Sequence, residues 1–199
     1  SYTAAVAAGR ESGVDSVLAT YLSDLAWLEL NDEQNAAAAV AAVEAIALYQ
    51  RGGDERSALE VGAVLACVEA SEGKAASARR RLAALTAAAG DGGSESAAFV
   101  VLVAEARVAE ILGELARAVD IRRRTVKMAE GFAQAGLLLA QRAQLARVLD
   151  LAGERAEALA IAREVLPVAE RIGRGDVVRD CRRILDRASA APIGSFPSG

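Results

Sequence analysis

The sequence contains no histidine. Its absence removes the commonest general base and the commonest metal ligand, so a Ser-His-Asp triad, a Cys-His pair and a His-based zinc site are excluded from this chain. Cysteine occurs twice, at Cys67 and Cys181, far apart and without CxxC spacing. Both read as small buried hydrophobes of a reducing compartment, with neither a disulfide framework nor a cysteine metal site. No cofactor and no metal are expected. Proline occurs three times in 199 residues, and aromatic side chains make up only 4%. Helix breakers are therefore scarce, and so are platforms for base stacking. No apolar run reaches the roughly 18 residues of a membrane span; the longest candidate, 97–104, is followed by Glu105. The start has no basic region leading into an apolar block, so no signal peptide is read and a cytoplasmic location is expected.

Alanine makes up about a quarter of the chain, hydrophobic residues 53% and charged residues 25%. Rich Ala, Leu, Arg and Glu content favours helix, and the length suffices for one good core. Charge is uneven: residues 1–100 hold 7 basic and 14 acidic side chains, residues 101–199 hold 16 basic and 13 acidic, and the net charge is −4. A general nucleic-acid binder would be basic overall, so nucleic acid is not an expected partner.

The strongest signal is an internal period of forty residues. Gly153 is followed five residues later by Ala158; forty residues back stand Gly113 and Ala118, then Gly73 and Ala78, then Glu33 and Ala38. Seven residues before each turn lies an alanine, Ala26, Ala66, Ala106 and Ala146. A second column holds Gly13, Gly53, Gly93 and Gly173, with Ala133 between Gly131 and Gly136 in the third repeat. Between these marks apolar residues recur at helical spacing, as in Leu137, Leu138, Leu145, Val148 and Leu149. No alternating strand with a hairpin signal occurs. The pattern predicts antiparallel helix pairs. First-type helices run near 14–30, 54–71, 95–111, 135–151 and 175–188, second-type helices near 34–50, 74–89, 114–131 and 155–171. Residues 1–11 align with the end of a second-type helix. The chain thus begins inside a repeat, which implies sequence upstream; the missing initiator methionine fits either a piece of a longer chain or a processed protein. Residues 189–199, with Pro192 and Pro197, read as a flexible tail.

These columns resemble the tetratricopeptide repeat, in which small residues occupy two helix-crossing positions and glycine the turn within a pair. Ala146, Gly153 and Ala158 match, as do Ala106, Gly113 and Ala118, and Ala66, Gly73 and Ala78; the first repeat matches through Ala26 and Ala38, with Glu33 departing at the glycine. The period exceeds the usual 34 residues, and Ala42, Leu82, Arg122 and Ala162 stand where the family places aromatics. The longer, alanine-rich form is similar to repeats of large bacterial signalling regulators, such as maltose-regulator-type ATPases, and to repeats appended to bacterial kinases, cyclases and caspase-like proteases. The resemblance implies an all-α, right-handed α-α superhelix: one domain over 1–188, with repeats near 14–53, 54–93, 94–133 and 134–173 and an unpaired final helix.

It further implies a concave groove lined by first-type helices. Carried over position by position, the groove residues are Asp24, Trp27, Val64, Val103, Arg107, Gln144, Arg147 and Arg187, apolar at one end and arginine-lined at the other. Arginine forks suit carboxylate or phosphate groups. The competing reading pairs Arg107 with Glu110 and Arg147 with Asp150 as ordinary surface ion pairs. Trp27 is either a groove anchor or, more commonly for such a residue, core. The Lys and Asn pattern of the family's carboxylate clamp is not matched. The basic runs 79–81 and 122–124 read as solvated outer faces, and Arg122 stands out in a column otherwise Ala or Leu. No phosphate-binding loop is present, and scattered carboxylates do not make an enzyme. The expected function is non-catalytic binding of a protein or peptide. The alternative is a ligand-sensing module of a larger regulator, taking a small effector. The stripe Val177, Val178, Cys181, Ile184 and Leu185 on the final helix either packs back onto 155–171 or pairs with a second copy as a homodimer.

Overall fold

The computed structural model describes residues 2–90 and 94–190. These form α1 (Tyr2–Ser12), α2 (Asp15–Asn31), α3 (Asn35–Arg51), α4 (Glu55–Ser71), α5 (Ala75–Gly90), α6 (Glu95–Ile111), α7 (Leu115–Gly131), α8 (Ala135–Ala152), α9 (Arg155–Arg171) and α10 (Gly175–Ala190). No strand occurs among the described residues. Observed helix ends lie within one or two residues of those expected, because the turns are marked in the sequence. α10 continues through Ala190, two residues into the expected tail; residues 191–199 and Gly93 of the glycine column lie outside the described residues.

The turns explain why the marks work. Gly73, Gly113 and Gly153 have φ of 77°, 76° and 87°, and Gly13, Gly53 and Gly173 of 65°, 74° and 73°. Glu33, the member of the column that is not glycine, has φ of 62° and is the only non-glycine residue with positive φ among the described residues. At six turns the amide after the left-handed residue reaches back to a carbonyl five residues earlier. Gln34 donates to Glu29 at 2.8 Å, Lys74 to Glu69 at 2.8 Å and Glu154 to Leu149 at 2.9 Å, with Asp54, Glu114 and Arg174 doing likewise. This is the Schellman closure, which satisfies carbonyls left free at a helix end. The turn after α7 is different. Ala133 lacks a positive φ, and the Gln134 amide donates to the nearby Phe132 carbonyl instead. Side chains cap the N-termini of α4 and α6: Asp54 accepts from the Ser57 amide at 3.0 Å and Ser94 from the Ala97 amide at 3.2 Å. The Ser57 hydrogen bonds also hold the Asp54 carboxyl below its usual pKa.

The chain divides into two compact units, 1–114 and 115–199. In unit 1 the helices pack in chain order, and the first-type helices α2, α4 and α6 also pack directly on one another. In unit 2, α7, α8, α9 and α10 pack in order, and first-type α8 packs on α10. The alanine columns sit at these crossings. Ala26, Ala66, Ala106 and Ala146, and Ala38, Ala78, Ala118 and Ala158, are all 0% exposed. A methyl group lets helix axes approach closely; a leucine there would overpack the contact, at a cost of about 1–3 kcal/mol. Around the alanines, Leu22, Leu30, Val61, Val64 and Cys67 fill the core of unit 1, and Val148, Leu149, Val165, Cys181 and Ile184 that of unit 2. The final helix packs back within unit 2: Val177, Cys181 and Ile184 are buried, while Val178 and Leu185 are half-buried.

Candidate functional site

Direct packing of first-type helices on one another makes their side the tighter one in each unit, and hence the inner side. Second-type helices within a unit are joined by ion pairs between long side chains. In unit 1 Arg10 of α1 reaches Glu44 of α3 at 2.9 Å; in unit 2 Arg123 of α7 reaches Glu157 of α9 at 2.9 Å and Glu154, just before α9, at 3.2 Å. In each unit the inner helices form the candidate site.

In unit 1, Asp24 on α2 is exposed, and partial burial raises its carboxyl pKa. Trp27, one turn on, is half-buried and packs on the core, and Val103 on α6 is half-buried. Val64 is fully enclosed in the core at 0% exposure and presents nothing to a partner. Its column is inward-facing, and α4 at that point is covered by the neighbouring helices. Arg107 on α6 has a side chain 20% exposed, with Nη1 at 3.5 Å from Glu110 Oε2, whose side chain is 3% exposed. Arg107 Nε is buried with no hydrogen-bond acceptor. The ion-pair reading of Arg107 and Glu110 thus holds in geometry and still leaves one guanidinium donor unmet.

In unit 2 the inner face is a polar ladder between α8 and α10. Gln144 Nε2 donates to Asp180 Oδ2 at 3.4 Å, and Gln144 Oε1 accepts from Arg147 Nε at 3.0 Å. Asp150, with a side chain 10% exposed, accepts from Arg187 Nη1 at 3.1 Å. Asp150 therefore bonds across to α10. Burial raises the Asp180 pKa, against the lowering fields of Arg147, Arg183 and Arg179. Of the expected groove residues, Gln144 and Arg147 lie side by side on α8, and Arg187 stands across from them on α10.

Asp180 is a member of this ladder that sequence reasoning missed. Its signal was an offset in register. Bonded residues on neighbouring first-type helices are 36 or 37 apart, not forty: Gln144 with Asp180, Asp150 with Arg187, and Cys67 Sγ with the Ala104 carbonyl at 3.8 Å. The contact period is about one helical turn shorter than the sequence period, because successive pairs are displaced along their axes. The basic run 122–124 also departs from expectation. Arg123 and Arg124 are exposed, but Arg122 is 2% exposed, buried in α7 beside Thr125, whose Oγ1 donates to the Arg122 carbonyl at 2.8 Å.

No family model matches the chain, and no curated protein matches it in sequence. Among the described residues no helix is long and apolar enough to cross a membrane.

Proposed function

We propose that the chain is a non-catalytic binding module of the tetratricopeptide type, taking a protein or peptide partner on the inner faces of its first-type helices. The observation that carries this reading is Arg107. Its Nε is buried without an acceptor. A guanidinium has five donors and no way to shed its charge, and leaving one unmet out of water costs about 1–3 kcal/mol. Nε itself is enclosed, so a carboxylate or carbonyl oxygen brought by a partner would meet it by drawing the 20%-exposed side chain outward. The repeat columns support the family reading: buried alanines at the crossings and left-handed turns at forty-residue spacing are what such modules use to stack. The partner contemplated is an extended or helical segment with an acidic group, its apolar side chains set toward half-buried Trp27 and Val103.

The test is a selection of displayed peptides on the purified chain, followed by fluorescence anisotropy with the enriched sequences. Arg107→Glu plus Arg147→Glu is expected to keep the helical circular dichroism signal and to weaken binding at least about tenfold, the loss of one charged pair. Enriched peptides that bind the double variant as tightly as the parent would overturn the assignment, as would a selection that enriches nothing.

A further inference from the structure

α10 differs from the other first-type helices on one face. Where it has Arg179, the equivalent positions hold buried Ala19, Phe99 and Leu139 and half-buried Leu59; where it has Asp186, they hold the fully buried alanines of the crossing column. Within the units, α2, α4 and α8 are each packed by the two helices that follow them. On α10 Arg179, Arg182, Arg183, Asp186 and Arg187 are all exposed. Together with Gly175 and Val178 they line a shallow groove of about 560 Å³.

The charges in this groove are not balanced. Arg182 is held by Glu170 at 2.7 Å and Arg187 by Asp150 at 3.1 Å. Arg179 and Arg183 form no salt bridge among the described residues, and they lie four apart, one above the other on the helix surface. An alanine-rich helix like those of the other pairs would bury both guanidinium groups without partners, at a prohibitive cost. A helix bearing carboxylates at the same spacing would meet both as charge-assisted, two-pronged hydrogen bonds. Nucleic acid is the weaker candidate: among the described residues no aromatic lines the groove for stacking, Asp186 sits within it, and the chain carries a net charge of −4.

We propose that the groove along α10 is a docking site for an acidic amphipathic helix of a partner protein, with two carboxylates one turn apart engaging Arg179 and Arg183. The groove shares Arg187 with the ladder of α8 and α10 and so adjoins the inner face of unit 2; Arg179 and Arg183 lie outside the residues changed in the inner-face test, so the two readings are tested by different substitutions.

The probe is a fluorescein-labelled, end-capped, alanine-based peptide of about four helical turns, with glutamate pairs spaced i, i+4. A second peptide has lysine in their place. By anisotropy the parent chain is expected to bind the glutamate peptide and not the lysine peptide. Affinity should fall at least about tenfold in Arg179→Glu plus Arg183→Glu, and fall again when salt is raised, as the Debye length shrinks. The same charge-reversed variant is expected to bind the lysine peptide. Both substitutions are at exposed positions, so circular dichroism should be unchanged. The proposal is overturned if the parent does not bind the glutamate peptide, or if the α10 variant binds it equally well. It is also overturned if binding is lost only in the Arg107→Glu plus Arg147→Glu variant, if duplex DNA of matched length competes at equal charge, or if sedimentation shows that the groove is filled by a second copy of the chain.

Discussion

Replacing Glu33 by glycine should stabilise the protein, although Glu33 is an exposed acidic residue at the end of a helix. Its φ of 62° is one that an L side chain adopts at a cost of roughly 1–2 kcal/mol. Glycine removes that cost and adds about 0.5–1 kcal/mol of lost chain entropy. The net gain is about 0.5–1 kcal/mol. The reverse experiment is Gly153→Ala, at φ 87°, where an added Cβ would meet nothing within 4 Å. Sterics outside the backbone drop out, and the same two terms change sign, giving a net loss of about 0.5–1 kcal/mol. For a chain of this length 1 kcal/mol moves Tm by about 2–4 °C. Thermal denaturation followed by circular dichroism should therefore show Glu33→Gly melting about 1–4 °C above the parent and Gly153→Ala about the same interval below it. If Glu33→Gly melts lower than the parent, or Gly153→Ala melts higher, then Glu33 and Gly153 are not equivalent members of one left-handed column. The forty-residue register argued from them fails with that result.

Pro167 lies inside α9, exposed, at a position held by Ala47, Ala87 and Lys127 in other second-type helices. A helix-interior proline costs about 3 kcal/mol, partly offset by a stiffer unfolded chain, so Pro167→Ala should stabilise by about 2 kcal/mol in urea denaturation; an unchanged midpoint would refute it. Asp180 has a folded-state pKa raised by burial. Its ionised form therefore disfavours the fold: this penalty is full above the raised folded pKa and disappears as pH falls to the unfolded value near about 4. Asp180→Asn should be more stable than the parent at pH 7, with the difference vanishing in acid. A variant less stable at neutral pH would show that the ionised group is favoured there by Arg147 and Arg183.

The architecture was legible because it is written in turns and crossings. A left-handed residue every forty positions and a buried alanine at each crossing leave little freedom in where helices begin and end. Glu33 was the instructive member. Its side chain gave no hint of positive φ; only its place in the register did. The turn at Phe132–Gln134 was not legible, since it closes by a different hydrogen bond with the same helix ends. The inner face was legible as a set of positions and not as a set of exposures. Val64 occupies an inner-column position, yet its neighbours enclose it completely. The Gln144–Asp180 contact was hidden because packed helices are offset by a turn, so partners do not align in the repeat. Arg122 is buried where an outer helix was expected to be solvated, and side-chain burial of this kind depends on packing that no periodicity reports.

A partner can meet either the first-type or the second-type helices. Hydrogen-exchange mass spectrometry of the chain, free and saturated with a selected peptide, reads this directly. Protection confined to the first-type helices α2, α4, α6 and α8, with α3 and α5 unchanged, is the result expected of a partner on the inner face. The outer layer has its own apolar surface, with Val40 and Val43 of α3 exposed by 69% and 57%. Protection centred on α3, with the exchange of α6 and α8 unaltered, would contradict the account.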